Sequence, residues 1–324
     1  MTTRRTFLTL AGAALATPAL SRLGSAQAAY PTRNIRAIIP FTAGSSTDIL
    51  GRIVAEQLST QLGQTIVIEN RGGAGGSLGA GQVAKSDPDG YTVLMTASAH
   101  SAAPAAFPNI NYDVANDFAG VAVFGTVPNV LIVAPSLGVK TVQEFVAKAK
   151  AKEMTYSSAG VGSATHWAAE RFRLSAGFKG THVPFKGGPE ATTEVMTGRV
   201  DFCCMGISSA LPFINDGKVI PLAVSTPKRS STLPNIPTTL EAGYKDSDYS
   251  FWNGLLVPAK TPREIVNKLA QEVQKTLQNP SVQAKFKPQG MEPVPLSPTE
   301  FDALINKEIE ANKALVKAAG LKFG

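Results

Sequence analysis

The sequence predicts an α/β fold in which parallel or mixed sheets are covered by helices and the chain divides into two domains. Three observations predict it. Short apolar runs of strand character alternate with segments of helical spacing, the pattern of strand–helix units packed in layers. The chain has 324 residues, 44% of them hydrophobic and 17% charged, enough for more than one core of ordinary size. No low-complexity linker and no internal repeat is visible, so strands rather than a tether are expected to connect the two domains.

The chain opens on Met-Thr-Thr-Arg-Arg-Thr-Phe-Leu. Arg4-Arg5 precedes a run of small apolar residues from Ala11 to Leu20, and Ala26-Gln27-Ala28 fits a small-residue cleavage site. Residues 1–29 therefore read as a twin-arginine-like secretory signal peptide cleaved near Ala28, which places the mature protein outside the cytoplasm. A membrane anchor fits less well, because the run falls short of the ~18–20 residues of a bilayer span and Pro18 interrupts it. Removing the leader takes away Arg4, Arg5 and Arg22 and no acidic residue, so the formal charge falls from +7 to +4. The remaining charges are scattered, and no Lys/Arg run points to nucleic acid.

Asn34–Pro40 reads as a buried strand, followed by a small-residue turn and a helix over Thr47–Leu62 in which Ile49, Leu50, Ile53, Val54, Leu58 and Leu62 share a face. Gly63 stops that helix and Thr65–Glu69 is the next strand. Arg71–Gly81 is glycine-rich and opens a helix through Lys85; Asp87–Gly90 is a turn and Tyr91–Thr96 a strand. Val121–Phe124 and Asn129–Ala134 are extended, Thr141–Lys150 helical, Met154–Ser157 extended and Thr165–Ser175 helical. A short strand at His182–Phe185 leads to a helix over Pro189–Thr197, with proline in its first turn and Gly198 after it. Strands at Val200–Met205 and Val219–Ser225 precede closing helices at Glu264–Gln278 and Thr299–Ala319.

Two turns carry chemistry. In Pro40-Phe41-Thr42-Ala43-Gly44-Ser45-Ser46-Thr47-Asp48 a strand ends, small residues turn the chain and a helix begins. The first N–H groups of a helix lack internal partners and face the positive end of its dipole, so glycine and hydroxyl residues there make a seat for a carboxylate or phosphate. Plain capping by Ser46 or Thr47, with Asp48 favouring the dipole, explains the same residues. Tyr156-Ser157-Ser158-Ala159-Gly160-Val161-Gly162-Ser163-Ala164-Thr165-His166 repeats the logic in the other half. Facing each other at the carboxyl ends of strands, two such turns would grip one anion from opposite sides. A third stretch, His182–Glu190, delivers Lys186 and two glycines before another helix; Lys186 either pairs with a ligand carboxylate or is a solvated surface lysine.

Other chemistries find little footing. Gly75-Gly76-Ser77-Leu78-Gly79 matches the G-x-S-x-G nucleophile pattern, yet the preceding strand ends too early for a nucleophile elbow. A secreted α/β serine hydrolase using Ser77 stays open as the alternative. Neither glycine cluster completes G-x-G-x-x-G, and no Gly-Lys-Ser/Thr exists. His166 is either a base or a core histidine. Cys203 and Cys204 are adjacent in a strand and read as two packed thiols; with His100, His166 and His182 far apart, no metal spacing results. No metal, no cofactor and no catalytic residue is expected.

Taken together, these residues resemble the Bug-type receptors, the extracytoplasmic solute-binding proteins of tripartite tricarboxylate transporters. The resemblance starts at Pro40-Phe41-x-Ala43-Gly44-x-x-Thr47-Asp48 and continues through Glu69–Gly76, Pro88–Tyr91, Asp117-Phe118 and Val127–Leu131. It runs on through Ser158–Ser163, Val183–Gly187, Gly198–Phe202, Ser209–Pro212, Leu233–Thr238 and Glu241–Gly243, covering essentially the whole mature chain in order. It implies a two-lobed, type II-like periplasmic-binding-protein fold: two mixed sheets flanked by helices, with crossover strands as hinge. Residues 30–126 plus 254–324 would form one lobe and 127–253 the other. The implied cleft residues are Phe41, Ala43, Gly44, Ser45, Ser46, Thr47, Asp48 and Ser98 in the first lobe. In the second they are Ser158, Ala159, Gly162, Ser163, Thr165, His166, Phe185, Lys186, Gly187 and Met205. The implied partners are a small di-, tri- or aromatic carboxylate and the membrane subunits of the transporter, with the receptor itself a monomer in the periplasm; a ligand-presenting sensor would need the same cleft. Two departures stand out: Ser45 replaces a frequent second glycine, and Cys203-Cys204-Met205-Gly206 stands where many relatives carry an acidic residue. Without that acid a ligand ammonium loses a partner, so a carboxylate lacking an amino group is expected, its apolar body against Phe41, Phe185 and Met205.

Overall fold

The computed structural model describes residues 30–249 and 251–319. The expected signal peptide lies outside the described residues.

The chain first lays down β1 (Ile35–Ile39), α1 (Ser46–Leu62), β2 (Ile66–Asn70), α2 (Ser77–Ala84), β3 (Thr92–Ala97), α3 (Ala99–Ala106) and β4 (Phe118–Val127). It continues with β5 (Asn129–Val133), α4 (Val142–Ala151), β6 (Met154–Ser158), α5 (Ala164–Ala176), β7 (Gly180–Pro184), α6 (Gly188–Met196), β8 (Phe202–Gly206), α7 (Ile207–Asn215) and β9 (Ile220–Val224). After a long irregular passage come β10 (Phe251–Pro258), α8 (Arg263–Gln278), α9 (Pro280–Phe286) and α10 (Pro298–Ala319).

The strands form two five-stranded mixed sheets, ordered β2-β1-β3-β10-β4 and β7-β6-β8-β5-β9. In the first, β1 runs parallel to β2 and β3, and β10 lies antiparallel between β3 and β4. In the second, β6 runs parallel to β7 and β8, and β5 lies antiparallel between β8 and β9. The two sheets thus share one topology, with β10 in the place that β5 takes in the other. The sequence shows no such repeat, because it resides in strand order rather than in residue identity. Only Pro128 separates β4 from β5, so the chain steps there from one sheet to the other, and it returns between β9 and β10. Val127 and Phe251–Asn253 belong to strands of the first sheet, a few positions outside the limits of 126 and 254.

Local sequence explains most elements. Ser45, Thr141 and Ser163 cap α1, α4 and α5 with their side chains, each accepting the N–H three residues on. Gly63 and Gly177 end α1 and α5 in the left-handed conformation that glycine adopts without strain. The glycine-rich stretch after β2 makes a short 3-10 turn over Ala74–Gly76 before α2, not a helix from Arg71. Four elements have no sequence signal of the expected kind. Pro104 and Pro212 stand inside α3 and α7, where a missing N–H argues against helix. α9 begins on Pro280 directly behind α8, and β10 is buried along its whole length, so it lacks the alternation of a half-exposed strand.

Burial of aromatic side chains fastens the layers. Phe145, Phe172, Phe178 and Phe202 interlock under α4 and α5, with Phe145 and Phe202 edge to face at 5.0 Å. On the other side Trp252 meets Phe301 of α10 edge to face at 5.0 Å. Trp252 also donates its indole N–H to Glu308 at 2.8 Å, and Ser101 Oγ of α3 reaches the same carboxylate at 2.5 Å. Glu308 thereby ties α10, α3 and the returning strand β10 together. Its burial pushes the carboxyl pKa up, only partly offset by the Ser101 and Trp252 hydrogen bonds. Glu308→Ala leaves the buried indole donor unmet and is expected to lower stability by about 1–3 kcal/mol in urea unfolding, while Glu308→Gln, which keeps an acceptor, loses less.

Candidate ligand-binding site

The turn after β1 is built around one carboxylate. Asp48 accepts the N–H of Gly44 at 2.9 Å, Asn70 Nδ2 at 2.8 Å and Arg52 Nε at 3.0 Å. The Asn70 amide also donates to the carbonyl of Phe41 at 2.9 Å, closing the turn on itself. Burial pushes the Asp48 pKa up, but hydrogen bonds from Arg52, Asn70 and Gly44 together with the Arg52 charge outweigh it and hold the carboxyl below its ordinary value. Gly44 sits at φ +78°, and Ser45 Oγ accepts the N–H of Asp48 at 3.3 Å.

The turn after β6 uses a histidine in the same place. His166 Nδ1 accepts the N–H of Gly162 at 3.1 Å, Gly162 sits at φ +72°, and Ser163 Oγ accepts the N–H of His166 at 3.3 Å. Thr165 Oγ1 accepts the Ala159 N–H and lies 2.9 Å from Ser163 Oγ. Beneath, the His166 ring stacks on His182 at 3.7 Å, and His182 Nε2 lies 2.7 Å from Ser158 Oγ. Burial lowers both imidazoles, His182 to about 4, so both are neutral at neutral pH. Tyr156 donates its hydroxyl to Glu170, which pairs with Arg173 at 2.6 Å.

The two turns meet at a small cavity of about 20 Å³, room for roughly one water. Its wall is Phe41, Ser45–Thr47, Ala159, Ser163–Thr165, Gly188, Met205, Gly206, Ser209 and Phe251. Four helices begin there: α1, α5, α6 and α7. Their first N–H groups have no helical carbonyl to bind, and their dipoles present positive ends. No ionisable side chain lines the wall. Such a wall suits an anion, through backbone donors and hydroxyls, and offers a cation no counter-charge.

The two halves touch across this cavity. Ser46 Oγ of α1 meets Ser209 Oγ of α7 at 3.3 Å. Around them the contact is made by glycines: a Cβ on Gly187 would fall 1.6 Å from Thr42 Oγ1, one on Gly206 2.3 Å from Ser46 Oγ, and one on Gly75 2.2 Å from the Val161 carbonyl. At Gly75 backbone meets backbone, and at Gly187 and Gly206 backbone meets a hydroxyl side chain, because the glycines interpose no side chain of their own.

Of the residues singled out in the sequence, Phe41, Ser45, Ser46, Thr47, Ala159, Ser163, Thr165 and Met205 lie on the wall. Asp48, Ser158, Gly162 and His166 stand behind it, holding the turns. Ala43 and Gly44 are exposed on the outside of the first turn. Phe185 and Lys186 line a separate open groove with Gly73 and Phe107 at the mouth, and Gly187 caps α6 against Thr42. Ser98 is engaged elsewhere, its Oγ accepting from Tyr249 at 3.2 Å and its N–H donating to the Trp252 carbonyl at 3.1 Å. Ala164 and Gly188, which fall inside two of the stretches singled out in the sequence, lie on the wall as well, and Gly206, Ser209 and Phe251 complete it unforeseen; Ser209 and Phe251 belong to α7 and β10, which the sequence does not announce. Ser77 opens α2 behind a 3-10 turn, not at a strand–helix elbow. Cys203 and Cys204 are free buried thiols, and burial pushes Cys203 up to about 12. Among the described residues no group of three His, Cys, Asp or Glu is placed to hold a metal ion.

Comparison with known proteins places this architecture. The family model of the tripartite tricarboxylate transporter family receptor matches residues 50–321. The chain belongs to that receptor family. Protein BugT of Bordetella pertussis is 34% identical over 301 residues, 91% of this chain and 91% of its own. The structure of the periplasmic binding protein BugD superposes with a TM-score of 0.87 at 32% identity, over 90% of this chain and 99% of that one. An R. palustris protein with adipate gives a TM-score of 0.87 at 34% identity, over 90% and 99% of the two chains. The receptor fold is thus the two-domain α/β fold of periplasmic binding proteins.

The turn after β1 is held by Asp48 as a carboxylate. Because its folded pKa lies below the unfolded value of ~3.9, the unfolded chain takes up the proton first as the pH falls. The stability that wild type holds over Asp48→Asn is therefore expected to be complete at neutral pH and to shrink between about pH 5 and pH 2, as followed by urea unfolding across that range.

Proposed function

We propose that this receptor closes its two lobes on a small carboxylate in the periplasm and delivers it to the membrane subunits of a tripartite transporter. The wall carries the reading: four helix starts converge on one cavity in which no side chain bears a charge. Adipate in a related structure is in keeping with it. The lobes divide at Pro128 and within residues 225–249, the two passages between the sheets, and these act as the hinge. A cavity with room for one water widens around a carboxylate, so the ligand bridges the two turns and replaces direct contacts such as Ser46–Ser209. Each charge-assisted hydrogen bond contributes ~1.5–3 kcal/mol, so a few across the cleft reach micromolar affinity at about −8 kcal/mol. With no acidic side chain in the wall, an α-amino group finds no counter-charge, and the ligand is a carboxylate without one, its apolar part against Phe41, Met205 and Phe251. The leader at residues 1–29 supports export.

A thermal-shift panel of mono-, di- and tricarboxylates, aromatic acids and amino acids tests the reading. Ligand at 100 times its Kd stabilises the native state by about 2.7 kcal/mol, a clear rise in Tm. Carboxylates without an amino group are expected to give it; a response confined to amino acids, or none across the panel, refutes the assignment. Closure has its own test in Gly187→Val, whose Cβ would overlap Thr42 Oγ1. Gly187 has an extended φ of −170° that valine adopts freely, so folding is retained. The variant is expected to bind at least tenfold more weakly and to show a larger radius of gyration by X-ray scattering.

A further inference from the structure

The two cleft turns are copies of one device with a single difference. Gly44-Ser45-Ser46-Thr47-Asp48 and Gly162-Ser163-Ala164-Thr165-His166 each place a left-handed glycine before a serine N-cap, and in each the side chain at the third helical position takes the glycine's N–H. The N-cap torsions agree closely, φ −67° and ψ 157° at Ser45 against φ −69° and ψ 160° at Ser163. This is a capping box displaced by one residue, the returning side chain bonding the residue before the cap. In the first lobe that side chain is a carboxylate. In the second it is an imidazole whose Nδ1 accepts a hydrogen bond from the backbone N–H and so bears no proton.

The geometry points to an asymmetric seat: we propose that His166 is a positioning residue that holds the Gly162–Thr165 turn without adding negative charge, so that the ligand carboxylate settles on the start of α5 rather than on that of α1. The inference rests on the carboxylate reading above. At α1 the Asp48 carboxylate already occupies the positive end of the dipole, and its counter-ion Arg52 is half exposed and screened by solvent. At α5 the rings of Tyr156 and His182 lie against His166, and the charges of Glu170 and Arg173 behind them are paired with each other at 2.6 Å. The N–H groups of Ala164 and Thr165 therefore meet the cavity with the field of α5 undiminished, while those of Ser46 and Thr47 meet it beside a fixed anion.

The charge and the geometry of this residue separate in two variants. In His166→Asn the amide oxygen can accept the Gly162 N–H and stays neutral; His166→Asp supplies the same acceptor with the charge of the first lobe. Kd is measured by calorimetry at pH 7.5 for adipate and for every carboxylate that raises the wild-type Tm, beside the Tm of each ligand-free variant. His166→Asn is expected to bind within about threefold of wild type and His166→Asp about tenfold or more weakly. A purely structural role predicts losses that follow Tm and do not separate the two. Should His166→Asp not fold, ¹⁵N amide shifts of the wild-type protein decide: saturating ligand is expected to move Ala164 and Thr165 more than Ser46 and Thr47. Equal affinities of the two variants, or larger shifts at Ser46 and Thr47, overturn the asymmetric seat. A wild-type protein silent to every carboxylate overturns the carboxylate reading, and the seat with it.

Discussion

A helix must begin somewhere, and the first N–H groups of its backbone then have no carbonyl to bind. In most proteins water or a capping side chain absorbs them. Here four helix starts are gathered around one small space, and each cap satisfies only part of what its turn exposes. The positive ends of four dipoles meet in a wall without an ionised side chain, a field suited to an anion. The rest of the architecture serves that arrangement. β1 and β6 deliver the two turns from the middle of their sheets, and the parallel strands beside them bring further helices to the same edge.

Rigid support and close approach are divided between different residues. Asp48 and His166 work from behind, fixing backbone that would otherwise be free to turn its donors away. Glycines at 75, 187 and 206 work from the front, by leaving nothing between the two halves. A polar network behind each turn costs desolvation, and it holds because nearly every member has a partner: Asp48 with Arg52 and Asn70, His166 with Gly162, Glu170 with Arg173.

Much of this was legible in the chain. Strand–glycine–serine–helix junctions at Phe41–Asp48 and Ser158–His166 announce themselves by local chemistry, because capping and left-handed glycine are properties of a few consecutive residues. Phe251 and Ser209 were not legible: β10 is wholly buried and shows no alternation, and Pro212 disguises α7. Ser98 was among the cleft residues that the resemblance implied, yet Tyr249 donates to its hydroxyl through a contact 151 positions away. Nor could sequence spacing tell that Asp48 and His166 face inward to their own turns, since side-chain direction is set by the fold around it.

The exchange of strands between the sheets bears on the order in which the molecule can assemble. Every strand of the second sheet is contained in residues 129–224, an unbroken stretch that can close its hydrogen-bond ladder by itself. The first sheet cannot: β4 joins it by pairing with β10, and β10 lies beyond the entire second half. As the chain emerges from its N-terminus, the half begun first is the half finished last, and a surface of unpaired backbone along β3 and β4 waits until residues 251–258 arrive to zip them together. The strand that joins β3 to β4 also carries Phe251 into the cavity wall, so the wall is incomplete until that strand is in place.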